Sequence, residues 1–528
     1  MRALVFLLCL QLVPAAGCGD RRPVYGESLQ LLGPFGYPTG LAYIDRALGR
    51  LIRIRLTGAG PRVDAVALHH PAPRLVQPVA AGTRLAVLHD DPADPGLTVI
   101  DREQRRATAA DFLPLADGFD ALAVSPAGRY GLAYFGDAQR AHTGIRNLDQ
   151  VQVVDFVAHR AQPARWLQTG GLNPRGIDFV PAGSGDFDGL AAVRVDNGLV
   201  FVDPVDPDSD LLWVRFTNAP GGVAVPAEVV FGPFHGDGGY CYVRLFGSDD
   251  VLSIHLTRDA AGRLQRSINF LNTPAGSAPS DLLVLESAGL HDKVFVVYAA
   301  AEGAGAALLD ANSIQTGEQT FALPVPVERA ERLVGHGPEG RREFVLVHPL
   351  QMGGNQPRVF LIDPAAGWSE TVFLQDAFER VVVAPGGESA LVYHPRLGNG
   401  GEPGMRLIRA VRPEGAGGWT HRLSTFGLQT LPGHERFSDD GRGLIGTLRA
   451  DNNTFLLDLD SGWYDSLILD RPPSRLGLVP GSDWIWFAHP HPLGSLTLVA
   501  MNDFRRQAAV MIEGFALVGL LDPGRGGG

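Results

Sequence analysis

The chain has 528 residues, 45% of them hydrophobic and 19% charged, with a formal charge of −12. Those proportions describe a globular protein with a large core and argue against wholesale disorder. A net-negative chain with no run of arginines lacks the concentrated basic face that phosphate backbones require, so nucleic acid is not an expected partner.

In chain order, the first feature is a three-part N-terminus. Arg2 supplies a minimal positive region, residues 3–13 are apolar apart from Gln11, and Ala15-Ala16-Gly17 precede Cys18. The apolar part is too short to span and remain in a bilayer. The run Ala15-Ala16-Gly17-Cys18 resembles the lipobox of bacterial lipoproteins, with Ala15 where that family prefers leucine. The resemblance implies a signal peptide over 1–17 and lipidation of Cys18, which becomes the first mature residue. The bilayer is then a partner, and more than one acyl chain makes such an anchor stable. The competing expectation is an ordinary signal peptide cut after Ala16. Gly19 stands where some lipoproteins carry an inner-membrane aspartate, which favours the outer membrane, on its periplasmic side or at the cell surface. Residues 18–40 are the lipidated cysteine and its tether. Of the three cysteines, Cys9 leaves with the signal and Cys18 carries lipid. Cys241 remains alone in the strand-like GYCYVRLF, where a buried inert thiol is expected.

From residue 41 onward the chain repeats. The stretch 119–169 contains four short strands, with a Pro-x-Gly turn at residues 126–128. The best marker is the third strand, an apolar run ending in aspartate at Asp101, Asp155, Asp203, Asp310, Asp363 and Asp458. Successive intervals are 54, 48, 107, 53 and 95, so a degenerate copy belongs in each long gap. VLSIHL at 251–256 and MRLIRAV at 405–411 fill them, and LIRIRL at 51–56 and LTLVA at 496–500 extend the series outward. About ten four-stranded units result, over residues 41–522. A four-stranded unit repeating every 40–50 residues is a blade, so the expected fold is an all-β β-propeller. One large ring is preferred, with two propellers in tandem as the alternative. Unit one lacks a visible first strand, and FALVGLLDPGR at 515–525 has the form of one. The ring is therefore expected to close by residues 516–521 pairing beside 41–44, with 523–528 a flexible tail.

AVSPAGRYGLAYF resembles the YVTN-type, lactonase-like propeller repeat, and FSDDGRGLIGTL resembles the repeat of periplasmic Tol-type propellers. These motifs carry fold rather than function. Lactonase-like members gather Glu, Asn and Asp residues around a metal at one mouth of the channel. The resemblance thus implies where a site would lie without naming its residues.

Chemistry-bearing patterns are few. Gly335–Gly340 matches G-x-G-x-x-G but runs into the strand REFVLVH rather than a helix, so it marks a loop. His489 and His491 could present two imidazoles, though zinc needs three or four ligands. Asp203, Asp206, Asp208 and Asp210 crowd one turn, as calcium-binding loops do, but without the EF-hand glycine and distal glutamate. Solvated, proline-stiffened turns are the plainer expectation there, and Asp90, Asp91 and Asp94 form a weaker cluster. Trp484 and Trp486 fall on one face of a strand, as an inter-blade core pair or a stacking platform. The expected function is a membrane-anchored envelope propeller that binds or scaffolds an envelope protein, glycan or small molecule. The alternatives are a metal-dependent hydrolase or lactonase at a channel mouth, and a purely structural envelope component.

Overall fold

A computed structural model describes residues 31–518, apart from short internal stretches of which 137–147 is the longest. Among the described residues the chain forms ten antiparallel four-stranded units in sequence order, the seventh and eighth linked by a single parallel bridge between His336 and Val411. They occupy residues 31–67, 73–114, 121–166, 176–215, 225–272, 278–323, 327–373, 380–427, 432–468 and 475–513. In each, strand one pairs with two, two with three and three with four. In unit three the fourth strand is split into Arg160–Ala161 and Arg165–Trp166, both on Gln150–Asp155. The four degenerate copies are true third strands, at Arg50–Thr57, Asp250–Arg258, Glu402–Val411 and Ser495–Asn502. The fold is an all-β propeller.

Its core is divided into ten hydrophobic clusters among the described residues, each lying between two units. Nine join sequence neighbours. The tenth joins the two ends: Leu41, Tyr43, Ile52 and Ile54 of unit one pack on Val479, Leu496 and Leu498 of unit ten. Burial on both faces explains why strands two and three are continuous apolar runs, as in LVFV and FVLV, rather than alternating ones. First strands of successive units lie beside each other, as Val225–His235, Ala278–Val284 and Val327–Gly337 do, and so form the inner wall.

Two expectations about the ends are corrected. Unit one has its own first strand, Leu31–Tyr37, paired with Gly40–Asp45 from Leu31 opposite Asp45 to Tyr37 opposite Gly40. The propeller therefore begins ten residues before the expected boundary at residue 41. No C-terminal strand lies beside residues 41–44, because that edge is already taken. Phe515–Leu517 is instead a 3-10 turn whose Phe515 and Ala516 are buried between units one and ten. Residues 519–528 lie outside the described residues.

The aspartate that marks the third strand has a local cause. Its carboxylate accepts hydrogen bonds from backbone N–H groups of the following turn: Val157 and Ala158 on Asp155, Val205 on Asp203, Asn312 on Asp310, Ala366 on Asp363, and Asp460 and Ser461 on Asp458. A short acceptor side chain closing its own turn is what aspartate does best. Arginines add a second tie, at 2.7 Å from Arg342 to Asp363 and 3.1 Å from Arg84 to Asp101.

Cys241 is fully buried between units four and five, and burial pushes its thiol well above the usual range. Only the thiolate reacts. Peptide mapping after treatment with a thiol reagent is expected to find Cys241 unmodified in the folded protein and fully modified in urea. Rapid native labelling would contradict this placement.

Candidate functional site

The first strands build the candidate site, and they begin with a recurring irregularity. A β-bulge lies between Pro73 and Leu75, Pro226 and Glu228, Pro279 and Asp281, Val327 and Arg329, and Pro432 and His434. Proline, which has no N–H to give a ladder, suits four of these five sites. The bulge sets an equivalent position in each unit, held by Leu75, Glu228, Asp281, Arg329 and His434. Arg380 and Arg475 open the corresponding strands of units eight and ten.

Read around the inner wall, these positions and those just beyond them separate by charge. Units four to seven contribute Asp178, Glu228, Asp281 and Glu331, the last paired with Arg329 at unit seven's own bulge position, while units eight to ten contribute Arg380, His434, Arg436 and Arg475. Units two and three present Leu75, Gln77 and Ala121. One arc is acidic, one basic and one neutral.

In the acidic arc each carboxylate has a partner. Asp178 meets Arg194 at 2.8 Å, Glu228 meets Arg244 at 3.0 Å and Glu331 meets Arg329 at 3.3 Å. Asp281 accepts the Ala330 N–H at 2.7 Å. Asp281 lies close enough to Glu228 for its charge to act on that carboxyl. Burial and the Asp281 charge raise Glu228 from 4.5 to about 7, against the pull of Arg244. A carboxyl raised in the folded state holds its proton more tightly there than in the unfolded chain. Its contribution is therefore full below pH 4.5 and is lost as pH rises through about 7. Glu228→Gln removes that loss. With the partial exposure of the site discounted, it is expected to be about 1 kcal/mol more stable than the parent at pH 8 and equal to it at pH 4. Urea midpoints measured at both values check this, and parallel pH profiles in the two proteins would refute it.

The basic arc encloses a cleft of about 780 Å³ along the first strands of units eight, nine, ten and one. Arg380, His434, Arg436 and Arg475 line it together with Phe437 and Trp486. Arg380 is neutralised by Glu435 at 2.6 Å, and Glu435 takes the place next to the bulge where other units bury an apolar residue. That burial pushes its carboxyl up, against the pull of Arg380.

Most residues singled out from sequence have structural duties. His489 is buried with Nε2 at 2.8 Å from Thr497 Oγ1, and His89 makes the same contact with Thr98 in unit two. Both end a second strand, as a lock between strands two and three. His491 Nδ1 accepts the Leu493 N–H within its own turn. Asp203 is held by Arg258 at 2.6 Å and by the Val205 N–H at 3.0 Å. A guanidinium seated on that carboxylate competes with a calcium ion for it. Asp206 faces a neighbouring cleft of about 610 Å³ that Arg258 also lines. Asp208, Asp210 and Cys18 lie outside the described residues. Among those described, no group of three or more His, Cys, Asp or Glu side chains is arranged to hold a metal. The glycine pattern from Gly335 joins the paired strands Val327–Gly337 and Gly340–Pro349, a hairpin, and Gly335 packs under Trp419. Trp484 and Trp486 both pack on the cluster between units ten and one, but Trp486 also reaches the cleft.

No family model matches the chain. No curated protein is similar to it. Among solved structures, a eukaryotic initiation factor is 12% identical over 82% of this chain and 96% of that one, with a TM-score of 0.43. The dihydro-heme d1 dehydrogenase NirN is 14% identical over 75% of each chain, with a TM-score of 0.40. The β-propeller domain of Cps50 (Swd1) from Myceliophteria thermophila is 10% identical over 84% and 97%, with a TM-score of 0.30. Likenesses this distant say nothing about ligand or reaction. The fold rests on the strand order, register and interfaces described above.

Proposed function

We propose that the protein is an exported envelope lipoprotein, held to a bilayer through Cys18, whose inner wall binds a ligand or partner. Support for the anchor is the order of residues 2–18 and the scarcity of cysteine, three in the whole chain. With Leu31 opening the first strand, the twelve residues between it and Cys18 reach at most ~43 Å when extended, which keeps the propeller near the lipid surface. The observation that carries the binding half is the charge-segregated inner wall with its arginine-lined cleft. Pockets of several hundred Å³ at the mouth of a closed β architecture are where small molecules bind.

Metabolic labelling with a radioactive fatty acid tests the anchor. The parent chain is expected to take up label and sediment with membranes, whereas Cys18→Ser is expected to do neither. A parent chain that stays unlabelled and soluble in the periplasm overturns the lipoprotein reading. The metal-dependent hydrolase alternative draws no support from the acidic arc, because each of its carboxylates is engaged by an arginine or a backbone N–H.

A further inference from the structure

We propose that the cleft on units eight to ten binds a small organic oxyanion, a phosphate or carboxylate on a flat apolar body. This deepens the binding reading above and rests on it.

The first argument is charge. Many arginines in this protein are paired, including exposed ones such as Arg175 with Asp196 and Arg442 with Asp460. In the cleft, Arg380 is paired through Glu435. Arg436 and His434 make no ion pair and no side-chain hydrogen bond, and Arg475 has only a long contact, 3.4 Å, to the Gly33 carbonyl. Asp439 is the one other acid on the lining, so the two guanidiniums outweigh it. Unpaired guanidiniums on neighbouring strands are the groups that grip carboxylate or phosphate with two parallel hydrogen bonds. In a chain of net charge −12 such a concentration is a local exception.

The second argument is shape and is independent of charge. Trp486 belongs to the second strand of unit ten, Trp484–His489, and its Nε1 donates to the Leu478 carbonyl on the first strand at 3.1 Å. The indole therefore lies across the inner strand. Gly477 makes this fit, since a Cβ there would come within 2.6 Å of the ring. With Phe437 on the adjacent strand, the ring gives the cleft an apolar wall beside its cationic groups. A wall of that kind takes the flat body while the arginines take the charge.

The experiment uses the full-length protein purified in detergent, with phenyl phosphate, phthalate, inorganic phosphate and uncharged benzyl alcohol as probes in calorimetric titrations. Phenyl phosphate or phthalate is expected to bind at least tenfold more tightly than inorganic phosphate, benzyl alcohol not at all, and added salt is expected to weaken binding. Arg436→Gln with Arg475→Gln is expected to lose at least tenfold in affinity with a thermal midpoint close to the parent, and Gly477→Ala, which displaces the indole, several-fold. Equal affinity in the parent and the double variant overturns the proposal. Equal binding of inorganic and phenyl phosphate overturns the apolar-wall half of it. If the double variant does not fold, Arg436→Gln alone carries the test, its side chain being exposed on the lining. No binding of any probe by a parent protein that takes up the fatty-acid label sinks the ligand class and leaves the anchored reading intact.

Discussion

Phe515→Ala is expected to destabilise the protein by about 3–5 kcal/mol, the usual range for emptying a fully buried aromatic site. Phe515 is 1% exposed and sits 4.7 Å, centroid to centroid, from the Tyr43 ring. Gly494 leaves it room, since a Cβ there would come within 2.4 Å of its ring. Backbone atoms around it tie units one and ten: Arg50 of unit one donates to the carbonyls of Ala516 and Val518, and Ala516 N–H to Leu493 O. The loss should be local, because stability in repeat architectures is close to a sum over neighbouring interfaces. Hydrogen exchange is expected to rise in units one and ten while units five and six stay protected. Phe360→Ala, which empties the core between units six and seven, should instead raise exchange in those two units and leave units one and ten protected. A urea-derived loss below about 1 kcal/mol for Phe515→Ala would mean that the contact between the two ends does not support the fold.

Glu343→Ala is expected to cost about 3 kcal/mol. Glu343 is the fourth residue of the second strand of unit seven, Gly340–Pro349, and is 3% exposed. Its carboxylate accepts the Glu286 and Ser287 N–H groups at 2.8 and 2.7 Å and the Ser287 hydroxyl at 2.8 Å, all from unit six, with Arg332 at 3.3 Å. Removing it leaves two backbone donors without their acceptor, while Arg332 keeps its ion pair with Glu286 at 2.7 Å, and the penalty of unmet buried donors exceeds the worth of the bonds lost. Glu343→Gln keeps one acceptor oxygen and should lose about half as much. Denaturant curves on both variants check the order. An alanine variant as stable as the glutamine one would show that water replaces the carboxylate.

The repeat was legible because its marker is local. An apolar strand followed by an aspartate that closes its own turn needs only a few adjacent residues, and all ten third strands lie where spacing put them. The first strand of unit one escaped notice for an equally local reason. LLGPFGY carries glycines and a proline where apolar residues would signal a strand, and its pairing shifts register between Leu32 and Phe35. The tail misled in the opposite sense: FALVGLL has strand composition, but its apolar residues serve as a plug between two sheets. The inner wall could not be read at all until register was known. Glu228, Asp281, Arg329 and His434 stand at one structural level only because each follows a bulge, and a bulge moves a side chain by one place without a reliable mark in sequence. The residue two places after an X-Pro step, read down the units, is the nearest thing to a signal. Trp486 shows the same limit, since its spacing to Trp484 is visible but the glycine that lets it cross a neighbouring strand is recognisable only by contact.

The cluster that joins the two ends has a consequence for biogenesis. Nine interfaces can form as soon as the next unit is made, but the tenth joins Ile54 to Val479. At typical synthesis rates of 5–20 residues per second, the intervening chain takes roughly 20–85 s to appear. Throughout that interval the outward face of unit one, with Leu41, Tyr43, Ile52 and Ile54, has nothing to cover it. Such a surface is adhesive to other nascent chains and to itself. The nascent protein should therefore depend on holding factors until its last unit emerges, and shortening the chain from its C-terminus should produce aggregation rather than a smaller soluble propeller.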